Sequence, residues 1–564
     1  MRRLNLPIHA SAMQTIWCVL LLAASANAAN LTVMSGGGGN YITIQACATA
    51  MAPGDTCTVY AGTYNEKVTV PAGTVGNYKT ITVNGSDVVT VQAFTLNSHT
   101  KLIGNCTSPA AINTCGFNIQ NPSSPSSARC VALPNGTTDV YVRNNVMYAC
   151  GSAEMLSGKS SYIYVQGNTL SYACTTQSQA TTVKECNGIF LSGDHHLIEN
   201  NDISHVTYND FTDSTYSIWR NNTVHDLFET EAGGNGHTDA FYASSNVTTQ
   251  FNVFESNYQY HDVGPNAKGI LNQAIYGTCG SVCGLDLIYR YNTINGIGSG
   301  NTSTYGWRNF KVYNNTFVNV GQSCGGNCSG AVNNYFQNTL NTSDLNNIFY
   351  FGFPVTVTGM ANPVAADSSS SVGTWGHSLA YCDASGASNC ALFSHVYEQG
   401  TWTGDAGSIL GYQNHSPVNN PNFVNLLGSD FHVQAGSPAI GAGTFLTTVA
   451  SGDAGSGTSL IVNDAAYFQD GYGLTNAYSA VSPDCIAVGT ASNHVCVTAI
   501  DHSNNTLTLA GSISRSAGQG VYLYSKSDGT QVLTGAAPDM GAFPYIDSIT
   551  SSLAPPTNFS ATAH

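Results

Sequence analysis

Residues 198–204 read IENNDIS and residues 219–225 read WRNNTVH, and in each an asparagine, Asn201 or Asn222, stands just ahead of a short or β-branched residue and an apolar one. The same phrase returns around Asn145 (VRNNVMY), Asn168 (VQGNTLS), Asn252 (TQFNVFE), Asn292 (YRYNTIN), Asn315 (VYNNTFV) and Asn347 (DLNNIFY). Successive separations are 23, 33, 21, 30, 40, 23 and 32 residues, so a unit of 21 to 23 recurs with loops inserted into it. Periods of this size mark stacked units that bury their apolar face only against a neighbour. Alternating apolar and polar positions rich in Val, Ile, Tyr, Phe and Thr make the unit a strand rather than a helix. Asparagine tolerates a left-handed corner, and its amide can bond to the same residue one coil away, at the ~4.8 Å spacing of paired strands. The expected fold is all-β, a parallel β-helix solenoid.

The chain opens with Arg2 and Arg3, an apolar run from Ile16 to Ala24 and Ala26-Asn27-Ala28, the pattern of a secretory signal over residues 1–28, too short to span a membrane. The other 16 cysteines fall into local couples at 47/57, 106/115, 130/150, 174/186, 279/283, 324/328, 382/390 and 485/496. An even count in an exported chain points to disulfides rather than metal sites. The protein is therefore expected outside the cytoplasm, secreted or periplasmic, and as a monomer. Formal net charge is -16 with only 9% charged residues, which excludes nucleic acid and anionic membranes as partners because both select basic patches. A polysaccharide fits such a surface; a polyanionic one needs a bound cation or a local basic cluster to offset the field.

A short helix is expected from Ile44 to Ala52, ending at Pro53-Gly54, where it would cover the open end of the solenoid. The stretch around it, GGNYITIQACATAMAPGDTCTVYAGTYNE (residues 38–66), resembles the opening of the secreted pectin-lyase-like proteins. That resemblance implies a right-handed β-helix with an N-terminal capping helix, expected over residues 29–442. FHVQAGSPAIGAGT (residues 431–444) resembles the closing strand of such proteins, and its continuation, Asp539-Met540-Gly541-Ala542-Phe543, is expected to form a closing strand within 538–548. Residues 443–537 between them read as a small all-β insert, more simply a cap than a sugar-binding module, and 549–564 as a Pro-rich tail. The superfamily holds lyases, hydrolases, esterases, epimerases and phage tailspikes, so the fold alone chooses no function.

Chemistry concentrates in one interval. Residues 185–262 hold 12 of the 32 acidic side chains and six of the 15 histidines, with Arg220 the only basic residue inside, a density that a solvated wall does not require. Counting back from the asparagines places Asp210 and Asp239 on adjacent coils, with His237 two residues from Asp239 and so on the same face of a strand. Asp194 and His196 make a second such pair. The favoured function is a polysaccharide lyase cleaving uronate glycans, pectate or alginate, by β-elimination. Calcium on Asp210, Asp213, Glu231 and Asp239 would neutralise the substrate carboxylate, Lys268 or His237 would take the C5 proton, and Arg220 would hold the carboxylate. Resemblance to calcium-dependent pectate lyases adds to this set. The alternatives are hydrolysis by Asp210 and Asp239 as paired carboxylates with His237 tuning one of them, and a non-catalytic protein that grips glycans at the cell surface.

Overall fold

The computed structural model describes residues 28–121, 129–150, 156–173, 186–227, 237–243, 249–260, 271–296, 302–319, 332–337, 339–351, 362–366, 371–382, 395–398, 401–405 and 420–546. The leader and the Pro-rich tail lie outside them. Each coil runs through three strands, and equivalent strands stack in parallel. Leu197–Glu199, Ile218–Arg220, Val253–Glu255, Ile288–Arg290 and Lys311–Tyr313 form one wall. After the ladder asparagine, Asp202–Ser204, Thr223–His225, Tyr258–Tyr260, Thr293–Asn295 and Thr316–Val318 form a second. Ile189–Asp194, Tyr208–Asp210, His237–Ala243 and Leu271–Leu285 belong to a third. Side chains alternate across each wall, so Ile198, Trp219 and Phe254 from the first and Ile203, Val224 and Ile294 from the second fill the lumen. The fold is a right-handed parallel β-helix, and the helix Ile44–Ala50, N-capped by Thr43, buries Ile44, Cys47 and Ala48 against its first coils.

The ladder is real, with one rung misread. Asn145, Asn168, Asn201, Asn222, Asn257, Asn292, Asn315 and Asn347 follow one another, and from Asn168 on each Oδ1 accepts the backbone N–H and the Nδ2–H of the preceding rung at 2.7–3.1 Å. Asn252 lies five residues early and instead anchors the preceding corner, accepting from the Ser217 N–H at 3.2 Å. It satisfied the sequence phrase because Val253 and Phe254 follow it, whereas the true rung is followed by Tyr258 and by Gln259, a polar side chain turned into the core. The left-handed residue is likewise not the rung but its predecessor, as at Asn144 (φ 57), Asn200 (57), Asn221 (54) and Ser256 (55). That corner turns the following amide inward, onto the next coil. Removing one amide strands the buried Asn201 N–H and the Ile198 carbonyl on the neighbouring coil, so Asn222→Ala should cost about 2–3 kcal/mol, read from the denaturation midpoint.

The insert does not cap the solenoid. Its six-stranded antiparallel sheet, spanning Thr447–Thr448 to Gly520–Ser525, lies along the first wall. There Leu446, Val449, Tyr467, Phe468, Ile486 and Val497 share one apolar cluster with an outward row of Tyr141, Tyr164, Leu197, Ile218, Val253 and Ile288. Residues 420–442 also depart from the expected coils. Phe423–Asn425 and Asp430–Val433 pair antiparallel as a hairpin that covers Val318, Ile348, Tyr350 and Leu379 on the second wall. The expected closing strand pairs with none: Gly541 N–H bonds to Asn346 O (2.8 Å) and Ala542 N–H to Thr316 Oγ1 (2.9 Å), so this segment crosses rungs rather than extending a sheet. Disulfides join Cys47 to Cys57, Cys106 to Cys115, Cys130 to Cys150 and Cys485 to Cys496, as suits an oxidising compartment. Each of the other four couples includes a side chain outside the described residues.

Candidate functional site

With the first wall covered by the insert, the second carries a stretch of side chains that reach solvent. Its open stretch is bounded on one side by the Cys106–Cys115 loop, whose Ala110 N–H bonds to Thr169 Oγ1 at 2.9 Å, and on the other by the hairpin, whose Ser429 hydroxyl takes Asn295 Nδ2 at 3.4 Å. Between them Ser204, His225 and Tyr260 stand in register on neighbouring strands, with Asp202, Thr223 and Tyr258 in the adjacent outward row. Asp202 is thus diagonal to His225, within reach of a long side chain. Asp226 follows in the left-handed conformation, φ 48, a conformation aspartate accepts more readily than most residues, and its carboxylate folds back onto its neighbour.

Asp226 Oδ2 lies 2.7 Å from His225 Nδ1, and Asp202 Oδ1 lies 3.4 Å from Nε2. Side-chain exposures are 15% for His225, 14% for Asp202 and 26% for Asp226, enough for a ligand to touch and too little for water to dominate. Burial alone would lower the imidazole pKa, but hydrogen bonds and charge from Asp202 and Asp226 outweigh it and raise it to about 9. His225 is therefore a cation across the physiological range, clamped between two carboxylates. Its ring stacks on Tyr260 at 4.7 Å and 7°. Tyr172 stacks on His205 at 4.0 Å beside it, with Tyr148 at 5.4 Å from Tyr172, so aromatic rings flank the trio along the face.

The residues expected from sequence do not assemble in this way. Arg220 is on the first wall, 2% exposed, its guanidinium on Glu199 at 2.6 Å and on Ser527 and Ala480 of the insert. It is consumed by docking, so holding a substrate carboxylate gives way to a structural role. Asp239 is 0% exposed and pairs in register with Tyr208 of the neighbouring strand. Asp210 is on the neighbouring strand but pairs with Tyr242 rather than Asp239, because the register shifts between Tyr208 and Asp210, and its Oδ1 caps the Thr212 N–H at 2.7 Å. Asp213 occupies a left-handed corner (φ 60). His196 is buried, and burial lowers it to about 4, while Asp194 turns to His195 at 2.6 Å. His237 begins a third-wall strand, but its side chain, like Glu231 and Lys268, lies outside the described residues.

Among the described residues no three His, Cys, Asp or Glu side chains converge to hold a metal ion. The calcium set expected on Asp210, Asp213, Glu231 and Asp239 includes Glu231, which lies outside the described residues, and Asp210 Oδ1 already takes the Thr212 N–H. Asp202, His225 and Asp226 were legible in principle: they stand one, three and four residues after Asn201 and Asn222, forward of the ladder. Counting backward led to the third wall.

The parallel stacking and the asparagine ladder define a right-handed parallel β-helix protein. No protein-family model matches the chain, and no curated protein does. Among solved structures it is similar to a pectin methylesterase from carrot, at 12% identity and TM-score 0.32 over 53% of this chain and 84% of that one. It is also similar to an alginate lyase from Paenibacillus sp. str. FPU-7 (14%, TM-score 0.28, 63% and 93%) and to the pectate lyase Pel9A (12%, TM-score 0.26, 77% and 94%). Likeness at this level says nothing of the site.

Proposed function

We propose that this chain is a carbohydrate-active enzyme that lays a polysaccharide across the second wall and hydrolyses it at Asp202 and Asp226. The observation that carries this reading is the pair of partly exposed carboxylates on opposite nitrogens of His225, flanked by tyrosines. Contacts of 2.7 and 3.4 Å across one imidazole put the two carboxyl groups no more than roughly 8 Å apart, within the ~6.5–9.5 Å that leaves room for water in inverting glycosidases. Asp226, the more tightly held by the cation, stays ionised and takes a proton from the attacking water. The proton for the leaving glycosidic oxygen comes from the His225 imidazolium, handed on from Nε2 through Asp202, as the bond from the anomeric carbon breaks and the water oxygen bonds to that carbon.

Charge supports this reading over uronate lysis. A polyanion approaching a chain of net charge -16 needs a cationic patch, yet Arg220 and Arg290 are spent on Glu199, Glu255 and Asp484, and Lys311 on Asp464. That favours a neutral glycan. The lyase reading rests on Lys268, His237 and Glu231. Incubation with neutral glucans and xylan, and with pectate and alginate in calcium or chelator, followed by reducing ends and ultraviolet absorbance, separates the two. Reducing ends from a neutral glycan without absorbance are expected. A calcium-dependent rise in absorbance on pectate or alginate would overturn hydrolysis in favour of lysis, and silence on both signals would favour a binding protein.

A further inference from the structure

A second feature of the same wall is not used by this chemistry. A cleft of about 470 Å³ opens where the hairpin leaves the solenoid, lined by Tyr350, Asn420, Asn422, Phe423, Leu426 and Gln434. Its size falls within the ~300–1,000 Å³ range of small-ligand sites. Tyr350 stands in the outward row of His225, four strands further on through Tyr260, Asn295 and Val318. At ~4.8 Å per strand the two lie roughly 19 Å apart. Val318 between them is fully buried under the hairpin, so the cleft is a separate place and not an extension of the Asp202 groove.

From this lining we infer a second glycan-binding site, selective for uncharged sugar. The rings of Tyr350 and Phe423 meet at 5.5 Å and 55°, giving two apolar faces set at an angle. Sugar rings present C–H faces that pack on such aromatics, and vicinal hydroxyls that amides bond as donor and acceptor together. The amides are held ready: Asn420 Oδ1 takes the Asn422 N–H (2.9 Å), the Gln434 N–H bonds to Asn422 O (2.9 Å) and Gln434 Nε2 to Phe423 O (2.9 Å). Asn422 itself is left-handed, φ 52, and its side-chain amide makes no hydrogen bond among the described residues, which leaves it for a ligand. Among the described residues no Asp, Glu, Lys, Arg or His lines the cleft, which suits an uncharged ligand. The site anchors the polymer independently of cleavage and deepens the neutral-glycan reading on which it rests.

The test is calorimetric titration of the full chain carrying Asp226→Asn, so that nothing is turned over, with β-1,3-, β-1,4- and α-1,4-linked glucan hexaoses and a xylohexaose. Saturable binding to at least one is expected, weakened tenfold or more by Asn422→Gly, which keeps the left-handed backbone, and by Leu426→Glu, which puts a charge into the cleft. Circular dichroism confirms that each variant is folded. Binding to none of the four, or affinity unchanged in both variants, overturns the site. Hydrolysis by the unaltered chain reports on the other reading separately: cleavage without cleft binding sinks only the second site, and cleft binding without cleavage sinks only the hydrolase.

Discussion

Arg290→Ala is expected to destabilise the protein by about 3–5 kcal/mol and to release the insert before the solenoid melts. Arg290 is 0% exposed, and its guanidinium meets Glu255 Oε2 at 2.7 Å, both Asp484 oxygens at 2.7 Å and the Tyr313 hydroxyl at 3.0 Å. Burial disfavours its charge, yet Asp484, Tyr313 and Glu255 hold its pKa well above the ordinary arginine value. Burial conversely raises the Asp484 carboxyl, and Arg290 opposes that rise. Without the guanidinium, Glu255 and Asp484 face each other in a dry interface and must take up protons or admit water. Asp484 also receives the Gln469 N–H (3.1 Å) and Nε2 (2.7 Å), so the disturbance spreads into the insert. Denaturant titration measures the loss, and limited proteolysis should cut within 447–525 first. Arg290→Met combined with Asp484→Leu should cost less than Arg290→Ala alone, since it removes two charges together. A double variant no better than the single one would show that the pair is not what docks the insert. The pair His432–Asp430, 49% and 43% exposed, is by contrast worth no more than ~1 kcal/mol.

Arg290 belongs to a row that the repeat already contained. Two residues before successive rungs stand Arg143, Gln166, Glu199, Arg220, Glu255 and Arg290, an alternation of charges down one outward face. With Asn252 taken as a rung, Glu255 falls out of that row and the alternation is lost. The density of acids and histidines in 185–262 then reads as chemistry, when Glu199, Arg220 and Glu255 are fittings for a sheet more than two hundred residues further on. The strand period, the ladder and the N-terminal helix depend on neighbours in sequence and were legible from it. Which wall the insert covers depends on contacts such as Arg220 to Ser527, 307 residues apart, and no local pattern encodes that. Asp239 illustrates the same limit on a smaller scale. Strict alternation in TDAFYA would put it on the face of Phe241, but the extra residue between Asp239 and Tyr242, opposite Tyr208–Asp210, breaks that alternation and is visible only once the strands are paired.

Alkaline pH should remove both stability and activity through one group, His225. Its folded pKa of about 9 lies above the ordinary 6.5, so its contribution is complete below pH 6.5 and is lost as pH rises from there through about 9. The difference corresponds to on the order of 3 kcal/mol. Thermal melts from pH 6 to 10 should therefore fall with pH in the unaltered chain, while His225→Gln, less stable at pH 6, should fall far less. Hydrolysis should follow the same limb, because loss of the imidazolium removes the proton for the leaving oxygen and the cation that orients Asp226. Asp226→Asn removes the base itself, and kcat on the neutral glycan should drop by about 10²- to 10⁴-fold at every pH. Asp202→Asn should drop it similarly, with the loss smallest on substrates whose leaving group needs no proton, such as nitrophenyl glycosides. An alkaline limb as steep in His225→Gln as in the unaltered chain would place the titration on another residue. A variant of Asp226 retaining full kcat would remove this carboxylate from the reaction and leave the trio as a clasp between coils, akin to the buried row on the opposite wall.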